Sequence, residues 1–581
     1  MARTLSFKTV SPDRIAIPET RQIELTDVES QLCTLLDECT QHLADQKGIV
    51  TSCRVAGGWV RDKLLGSESH DIDIALTDMM GYPFAVEFAE YVSEIKHIPV
   101  KSIATVKGNP GQSKHLETAK TTVLGIELDF VNLRDEAYAD NSRIPTEVTF
   151  GTPLQDALRR DITINSLFYN VHTRSVEDHC GKGLDDLKNG IIRTPLPPRQ
   201  TFLDDPLRVI RCIRFASRFG FDMVSELQES ARDSEIQASL LLHGALAIVA
   251  LAQKITRERV GEEIDKMMGG RNPLRSIQLI DSLSLFTTIF CIPEPTASTL
   301  SGPAASPSLA VAAAAILRTF LRPEARIFDH PALHPLLASA VTSPSVAARL
   351  NLACALTPYR GVTYVDHKKK ERPAVEAAIR DGLKVGTKNH YLDGIPALFA
   401  AAELLKSPKL DSERFQTPSE RVAIGMLLRD TSVHNPLVDS HWTTSVLFSL
   451  VQDLVFSYDA STDAFDVDSA AACIQIYNAF MTRVQELDLE KAVDAKHILD
   501  GREVVQVLGA AKHGQWTGRV LTDVMKWQLG HPDGSKEDCA EWLRTEHAEG
   551  RITTEDSKAS IVVGKRGKSS RQETTAKKPK T

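Results

Sequence analysis

Between Arg54 and Leu76 the chain reads RVAGGWVRDKLLGSESHDIDIAL, and no other stretch restricts its fold as much. A short β-like run ends in a Gly-Gly turn, a helix-forming segment follows, and a polar loop returns to a second strand in which Asp and Ile alternate. Gly57 and Gly58 lack a Cβ, so the backbone can approach a ligand closely there, and the helix start beyond them offers free N–H groups and a positive dipole end. A triphosphate suits that corner. Asp71 and Asp73 share one face of their strand, with Ile72 and Ile74 turned to the core on the other. Two carboxylates thus converge. One or two divalent cations with oxygen ligands relieve their repulsion, and Mg²⁺ is the hard ion that accompanies phosphates. Ions held in this way clamp the attacking and leaving oxygens of a phosphoryl transfer. Alternating Asp and Ile is also what a half-solvated edge strand looks like, and Arg61 and Asp62 could simply form a salt bridge. The Gly-Gly-x-x-Arg-Asp turn placed before the pair makes it informative, with Arg61 available to neutralise phosphate charge.

The rest of the chain sets limits. Its 581 residues allow about three to five domains. The 68 Lys and Arg against 76 Asp and Glu give −8, which argues against a surface coated by nucleic acid and confines any RNA site to a local basic groove. Nine scattered cysteines without a C-x-x-C pair suggest neither zinc nor a redox dithiol, but reduced thiols in an intracellular protein. The longest apolar runs, Leu240 to Ala252 and Leu309 to Leu317, are too short to cross a bilayer. Residues 25–43 carry apolar residues at helical spacing, with Thr26 and Glu29 as a capping box. Short strands are expected at Arg54 to Ala56, Asp71 to Leu76, Ile126 to Leu133, Leu167 to Val171 and Ile191 to Arg193. Beyond about residue 201 helical stripes take over. Pro293 to Pro307 reads as a linker or surface loop ahead of an alanine-rich helix. Met1 to Ile17, with Arg3, Lys8 and Arg14, has the composition of an organellar transit peptide or of a frayed end. Lys565 to Lys580 is basic and poor in apolar residues, hence disordered, and serves as a nuclear address, an RNA-grazing arm or a solvated end.

The Arg54 to Leu76 stretch resembles the nucleotidyltransferase superfamily of DNA polymerase β and, within it, the class II CCA-adding enzymes and the bacterial poly(A) polymerases. That resemblance implies an α+β head, a polymerase β-like sheet with helices, followed by a mostly α-helical neck, body and tail. The corresponding division is a leader over 1–24, the nucleotidyltransferase head over 25–200, a neck for base recognition over 201–290, a tRNA-binding body and tail over 291–545 and a basic tail over 546–581. In such enzymes a third carboxylate joins the metal-binding pair Asp71 and Asp73. Asp129 in IELDFVNLR is the candidate, with Glu127 on the same face as the alternative.

Two further blocks extend the likeness. In DALRRDITINSLFYN, Arg159, Arg160 and Asp161 read by themselves as a surface ion network, but they resemble the family's RRD motif, which implies sugar and phosphate contacts from Arg160, Asp161 and Asn165. In DDPLRVIRCIRFASRFGF, Asp205 caps a helix whose first turn holds Pro206. Asp205 and Arg208 are neighbours on one helical face and set an acceptor beside a donor. Cytosine and adenine expose an amino donor next to a ring-nitrogen acceptor, whereas uracil and guanine show the reverse, so the pair suits the first two. The block resembles the EDxxR motif, with Asp204 in the Glu position, and Arg211 joins the nucleotide-binding set. Residues 176–187, with Gly181 and Gly183, resemble the flexible motif that reorients the head, or form an ordinary turn. Thr256 to Met268 resembles a neck motif in which Glu258 and Arg259 are structural, and Trp527 to Leu543 is reminiscent of the fungal and plant branch.

The implied activity is untemplated addition of CCA to the 3′ end of tRNA from CTP and ATP, dependent on Mg²⁺, by a monomer that does not enter membranes. The expected location is the cytoplasm, nucleus or mitochondrion. A poly(A) polymerase and a non-catalytic RNA-binding protein on the same fold are the alternatives.

Overall fold

The computed structural model describes residues 4–19, 22–69, 71–106, 118–138, 145–241 and 256–554. The chain forms two compact units, one from Met1–Lys409 with Asp430–Arg483 and the other from Leu410–Arg429 with Val484–Thr581.

The elements that carry the site belong to the first unit. In chain order they are β1 (Thr4–Leu5), α1 (Asp27–Lys47), β2 (Cys53–Ala56), α2 (Gly58–Leu64), β3 (Asp71–Leu76), α3 (Gly81–Glu90), β4 (Ala104–Val106), β5 (Thr118–Val123), β6 (Ile126–Asn132), β7 (Arg134–Tyr138), β8 (Pro145–Phe150), α4 (Pro153–Leu158), β9 (Phe168–Asn170), β10 (Ser175–Glu177), α5 (Gly183–Asn189), β11 (Ile191–Ile192), α6 (Pro198–Asp204) and α7 (Leu207–Phe219). Seven strands make one sheet in the order β10-β9-β2-β3-β6-β5-β4. Neighbours run antiparallel except β3 and β6, which run parallel. Ile72, Ile74, Leu128 and Phe130 are buried, and Phe84 and Phe88 of α3 pack on Phe130 with ring centroids 5.4 and 5.7 Å away. The opposite face of β3 is left for the acids.

The capping box at the start of α1 forms as its sequence predicts, with Thr26 N donating to Glu29 Oε2 at 2.8 Å. The same carboxylate accepts from Trp59 Nε1 at 3.2 Å and pairs with Lys63 Nζ at 2.9 Å, so the cap also fastens α1 to α2 beside the Gly-Gly turn. Residues 4–19 pack within this unit. β1 pairs with Ala464–Asp466, Phe7 is fully buried with its ring centroid 4.8 Å from that of Phe465, and Asp13 bonds Arg318 at 2.7 Å. The stretch Pro293 to Pro307 is also docked, since Ser301 N donates to Thr363 O at 2.8 Å. The alanine-rich helix follows at Ser308–Leu321.

The second unit is helical, with Trp516, Val520, Val524, Cys539 and Leu543 in its core. Trp527 stacks on His531 and Trp542, with centroids 4.6 and 6.0 Å away. Among the described residues no helix is long and apolar enough to cross a membrane. The basic segment Lys565 to Lys580 and most of Leu240 to Ala252 lie outside the described residues.

Candidate active site

Gly57 ends β2 with φ +73° and ψ −124°, a conformation open to glycine and strained for other residues. A Cβ at this position would lie 2.7 Å from a guanidinium nitrogen of Arg160. Gly57→Ala is therefore expected to strain the backbone by about 1–2 kcal/mol and to push Arg160 aside. Steady-state kinetics should show the nucleotide KM rising about tenfold, equivalent to about 1.4 kcal/mol, with a smaller change in kcat.

Parallel pairing of β3 with β6 sets Asp73 opposite Asp129 and Asp71 opposite Glu127, so the acids of both strands share one sheet face. Asp71 and Asp73 are exposed, whereas Ile72 and Ile74 are 3% and 0% exposed. Among the described residues neither acid has a side-chain hydrogen bond or ion pair. Asp129 differs in that it accepts from Lys120 Nζ at 2.6 Å. Desolvation raises the Asp73 carboxyl above its ordinary value, Arg160 opposes that, and the charges of Asp129 and Asp71 add to it. An unpartnered carboxylate pair under mutual repulsion fits a small, hard divalent cation. Among the described residues no group of three or more His, Cys, Asp or Glu side chains is placed to hold a metal ion. The carboxylates of this face left without a partner are Asp71 and Asp73.

Arg61 and Asp62 occupy a different setting from the expected phosphate contact. They are 3% and 8% exposed, because Arg61 is packed over Phe215 and Phe219 of α7 with both centroids at 5.1 Å. Its Nε and Nη2 each donate to the Asp62 carboxylate at 2.9 Å, and Nη1 donates to Asn165 Oδ1. The pair faces inward and holds the turn in place.

The Arg159-Arg160-Asp161 block leads into a single 3-10 turn, Thr163–Asn165. Asp156 is buried and accepts from Arg159 Nε at 2.8 Å and Arg160 Nη2 at 2.8 Å. Arg160 also donates to Asn165 O at 3.2 Å and lies over Phe168, leaving it between the Gly57 turn and the Asp73 charge. Asp161, 7% exposed, accepts from Asn165 Nδ2 at 2.9 Å and from Arg211 Nε at 2.8 Å. Burial alone would push its carboxyl up. Attraction to Arg211 and hydrogen bonds from Asn165 and Arg211 outweigh that and hold it at about 2. Asp161 and Asn165 thus spend these oxygens and amide hydrogens on fixing Arg211 and Arg61, where direct sugar contacts were expected.

Pro206, expected in the first turn, is the N-cap of α7; Asp205 before it accepts from Leu207 N at 3.1 Å, and its second oxygen accepts from Arg259 Nη2 at 3.2 Å. Arg208 Nη2 donates to Arg159 O at 2.6 Å. Arg259, read from sequence as structural, therefore holds the Asp205 carboxylate in place, while Glu258 pairs with Lys384 at 3.0 Å. In residues 176–187 the expected hinge motif forms a tight turn. Gly181 has φ +66°, and a Cβ on Gly183 would meet Thr163 O at 2.7 Å.

Sequence reading missed Arg214 and Arg218. They continue the Arg208, Arg211 spacing along one face of α7, and that periodicity was a usable signal. Arg214 pairs with Glu263, and Arg218 with Asp62 at 3.3 Å. Together with Lys266 and Arg271 they line a cavity of about 580 Å³. Lys120 was missed as well, because the polar run of β5 hides its strand.

Residues 53–193 match the family model described as the Poly A polymerase head domain. The mitochondrial CCA tRNA nucleotidyltransferase of Saccharomyces cerevisiae is 34% identical over 544 residues, covering 90% of this chain and 94% of that protein. The tRNA nucleotidyltransferase cca1 of Schizosaccharomyces pombe is 31% identical, covering 89% and 95%. Among solved structures, the Thermotoga maritima CCA-adding enzyme complexed with tRNA has a TM-score of 0.51 at 18% identity, covering 90% of this chain and 97% of that one. The Bacillus stearothermophilus CCA-adding enzyme in complex with CTP has a TM-score of 0.51 at 18% identity, covering 91% and 99%, so both share the fold. With such identity to the yeast enzyme along nearly its whole length, the chain belongs to the CCA tRNA nucleotidyltransferase family.

Proposed function

We propose that this protein adds CCA to the 3′ end of tRNA from CTP and ATP without a nucleic-acid template, releasing pyrophosphate. The observation that carries this reading is the unpartnered pair Asp71 and Asp73, set beside the Gly57 turn and Arg160. The backbone at Gly57 and Gly58 and the guanidinium of Arg160 hold the triphosphate. Asp71 and Asp73 hold Mg²⁺, which supplies charge neutralisation for the attacking and leaving oxygens when bound. The RNA 3′-hydroxyl oxygen attacks the α-phosphorus, and the bond from that phosphorus to the bridging oxygen breaks as pyrophosphate departs. Asp129, bridged to Lys120, is the third carboxylate of this acidic face.

Base choice falls to Asp205 and Arg208. Asp205, steadied by Leu207 N and Arg259, accepts from the amino group of cytosine or adenine, and Arg208 donates to the ring nitrogen. A bidentate contact discriminates by roughly 1–3 kcal/mol, so Arg208→Ala is expected to relax selection of CTP and ATP over UTP and GTP by about tenfold or more. Incorporation measured with each nucleotide separately reads this out. The mitochondrial names of the yeast relatives support a mitochondrial location, and we take the enzyme to act as a monomer.

The match of residues 53–193 to a poly(A) polymerase head favours a second reading in which the product is an adenosine tail. Incubating the protein with tRNA trimmed of its 3′ end, CTP and ATP separates the two. Three added residues ending in adenosine support CCA addition, and a long adenosine ladder overturns it.

A further inference from the structure

Outside the site described above, a cavity of about 940 Å³ lies against the hairpin formed by Thr363–Val365 and Glu371–Pro373. Most cations on its wall are already matched. Arg380 pairs with Glu376 at 2.8 Å and Asp381 at 2.7 Å, Lys384 with Glu258 at 3.0 Å, and Arg372 with Asp366 at 3.5 Å. The tip of the hairpin is different. Lys368, Lys369 and Lys370 are consecutive and exposed, and among the described residues none has a side-chain ion pair.

The tip is also fixed. Asp366 Oδ1 accepts from Lys368 N at 2.8 Å and Lys370 N at 2.9 Å, while Lys369 N donates to Asp366 O at 2.8 Å. Lys369 sits at φ +58°, closing the turn. Three ammonium groups are thus displayed on a preorganised backbone by a chain whose net charge is −8. On such a surface a polyanion is repelled in general and attracted at particular points.

We propose that this hairpin tip is a contact site for the phosphodiester backbone of the RNA substrate. The inference rests on the proposed function and deepens it by assigning a place where tRNA is gripped. Continuity with the nucleotide site supports it. Arg257 lines the cavity, Arg259 two residues later bonds Asp205, and Glu258 between them pairs with Lys384 of the cavity wall. The first turn of one helix, Arg257–Met268, therefore borders both places. Phosphate contacts made by lysine are point-charge contacts without sequence readout, as suits an enzyme acting on many tRNAs.

The test is equilibrium binding of trimmed tRNA at several salt concentrations, comparing the full chain with a variant carrying Lys368→Ala, Lys369→Ala and Lys370→Ala. Affinity at low salt should fall about tenfold or more, and the slope of log affinity against log salt should become shallower by about 2–3, near one per lost phosphate contact. The KM for CTP and the thermal midpoint should not change, and arginine at all three positions should restore affinity. Unchanged affinity and slope in the alanine variant, with the unmutated protein still extending tRNA, would overturn this inference and leave the proposed function standing. Loss of binding to phosphatidylserine vesicles with tRNA binding retained would also overturn it, assigning the tip to a membrane surface. An unmutated protein that fails to extend trimmed tRNA would overturn the proposed function itself.

Discussion

Asp73→Asn is expected to cut nucleotide addition by at least about 10³-fold, or about 4 kcal/mol of transition-state stabilisation, with tRNA affinity held within about twofold. Asp73 has no side-chain bond or ion pair among the described residues, and local desolvation together with the charges of Asp129 and Asp71 pushes its carboxyl toward the neutral form. A carboxylate with no structural partner contributes little to folding, and removing one member of a repelling group should leave the denaturation midpoint unchanged or slightly raised. Loss of labelled CMP incorporation in a variant that is equally stable and equally able to bind tRNA thus assigns the side chain to chemistry. Turnover within tenfold of the unmutated protein would remove the carboxylate pair from the mechanism.

Asp161→Asn should act in the opposite sense, on stability first. Asp161 is buried, and its carboxylate is the counterion of Arg211 and the acceptor for Asn165. Breaking a buried pair from one side strands the other charge, which typically destabilises by about 3–5 kcal/mol. Urea titration should show that loss as a lower midpoint. Adding Arg211→Met to the same chain should recover part of it, since deleting both partners leaves nothing unpaired. The effect is tied to pH. The folded-state carboxyl lies at about 2, below its usual 3.8. Its contribution is therefore complete above the unfolded value and is lost as pH falls from about 4 toward 2. The stability gap between the unmutated protein and the variant should narrow over that window and stay constant at neutral pH.

These two residues illustrate what could be read from the sequence. The strand carrying Asp71 and Asp73 was legible because a period of two, interrupted by nothing, fixes which face each side chain takes. The Gly-Gly turn was legible for a similar reason, since Gly57 takes a backbone conformation that other residues avoid. The capping box at Thr26 and Glu29 is local and formed as its pattern required. By contrast, Arg61, Asp161 and Asn165 were expected at the ligand and are found bonded to one another in the interior, with Asn165 between the other two. Motif spacing gives proximity, but whether an Arg faces a ligand or a buried Asp depends on residues far along the chain, here Phe215, Phe219 and Arg211. The strand Thr118–Val123 was missed because Thr and Lys fill four of its six positions, leaving only Ala119 and Val123 as an apolar signal. Without it Lys120 had no visible route to Asp129.

The pairing of Thr4–Leu5 with Ala464–Asp466 has a consequence for how the molecule is made. At a translation rate of about 5–20 residues per second, the first strand waits roughly 20–90 s on the ribosome before its partner is synthesised. Throughout that interval Phe7 lacks the Phe465 ring that helps cover it in the finished protein. The nascent chain therefore carries Phe7 without part of its aromatic cover until almost the whole of the first unit and the leading segment of the second have emerged.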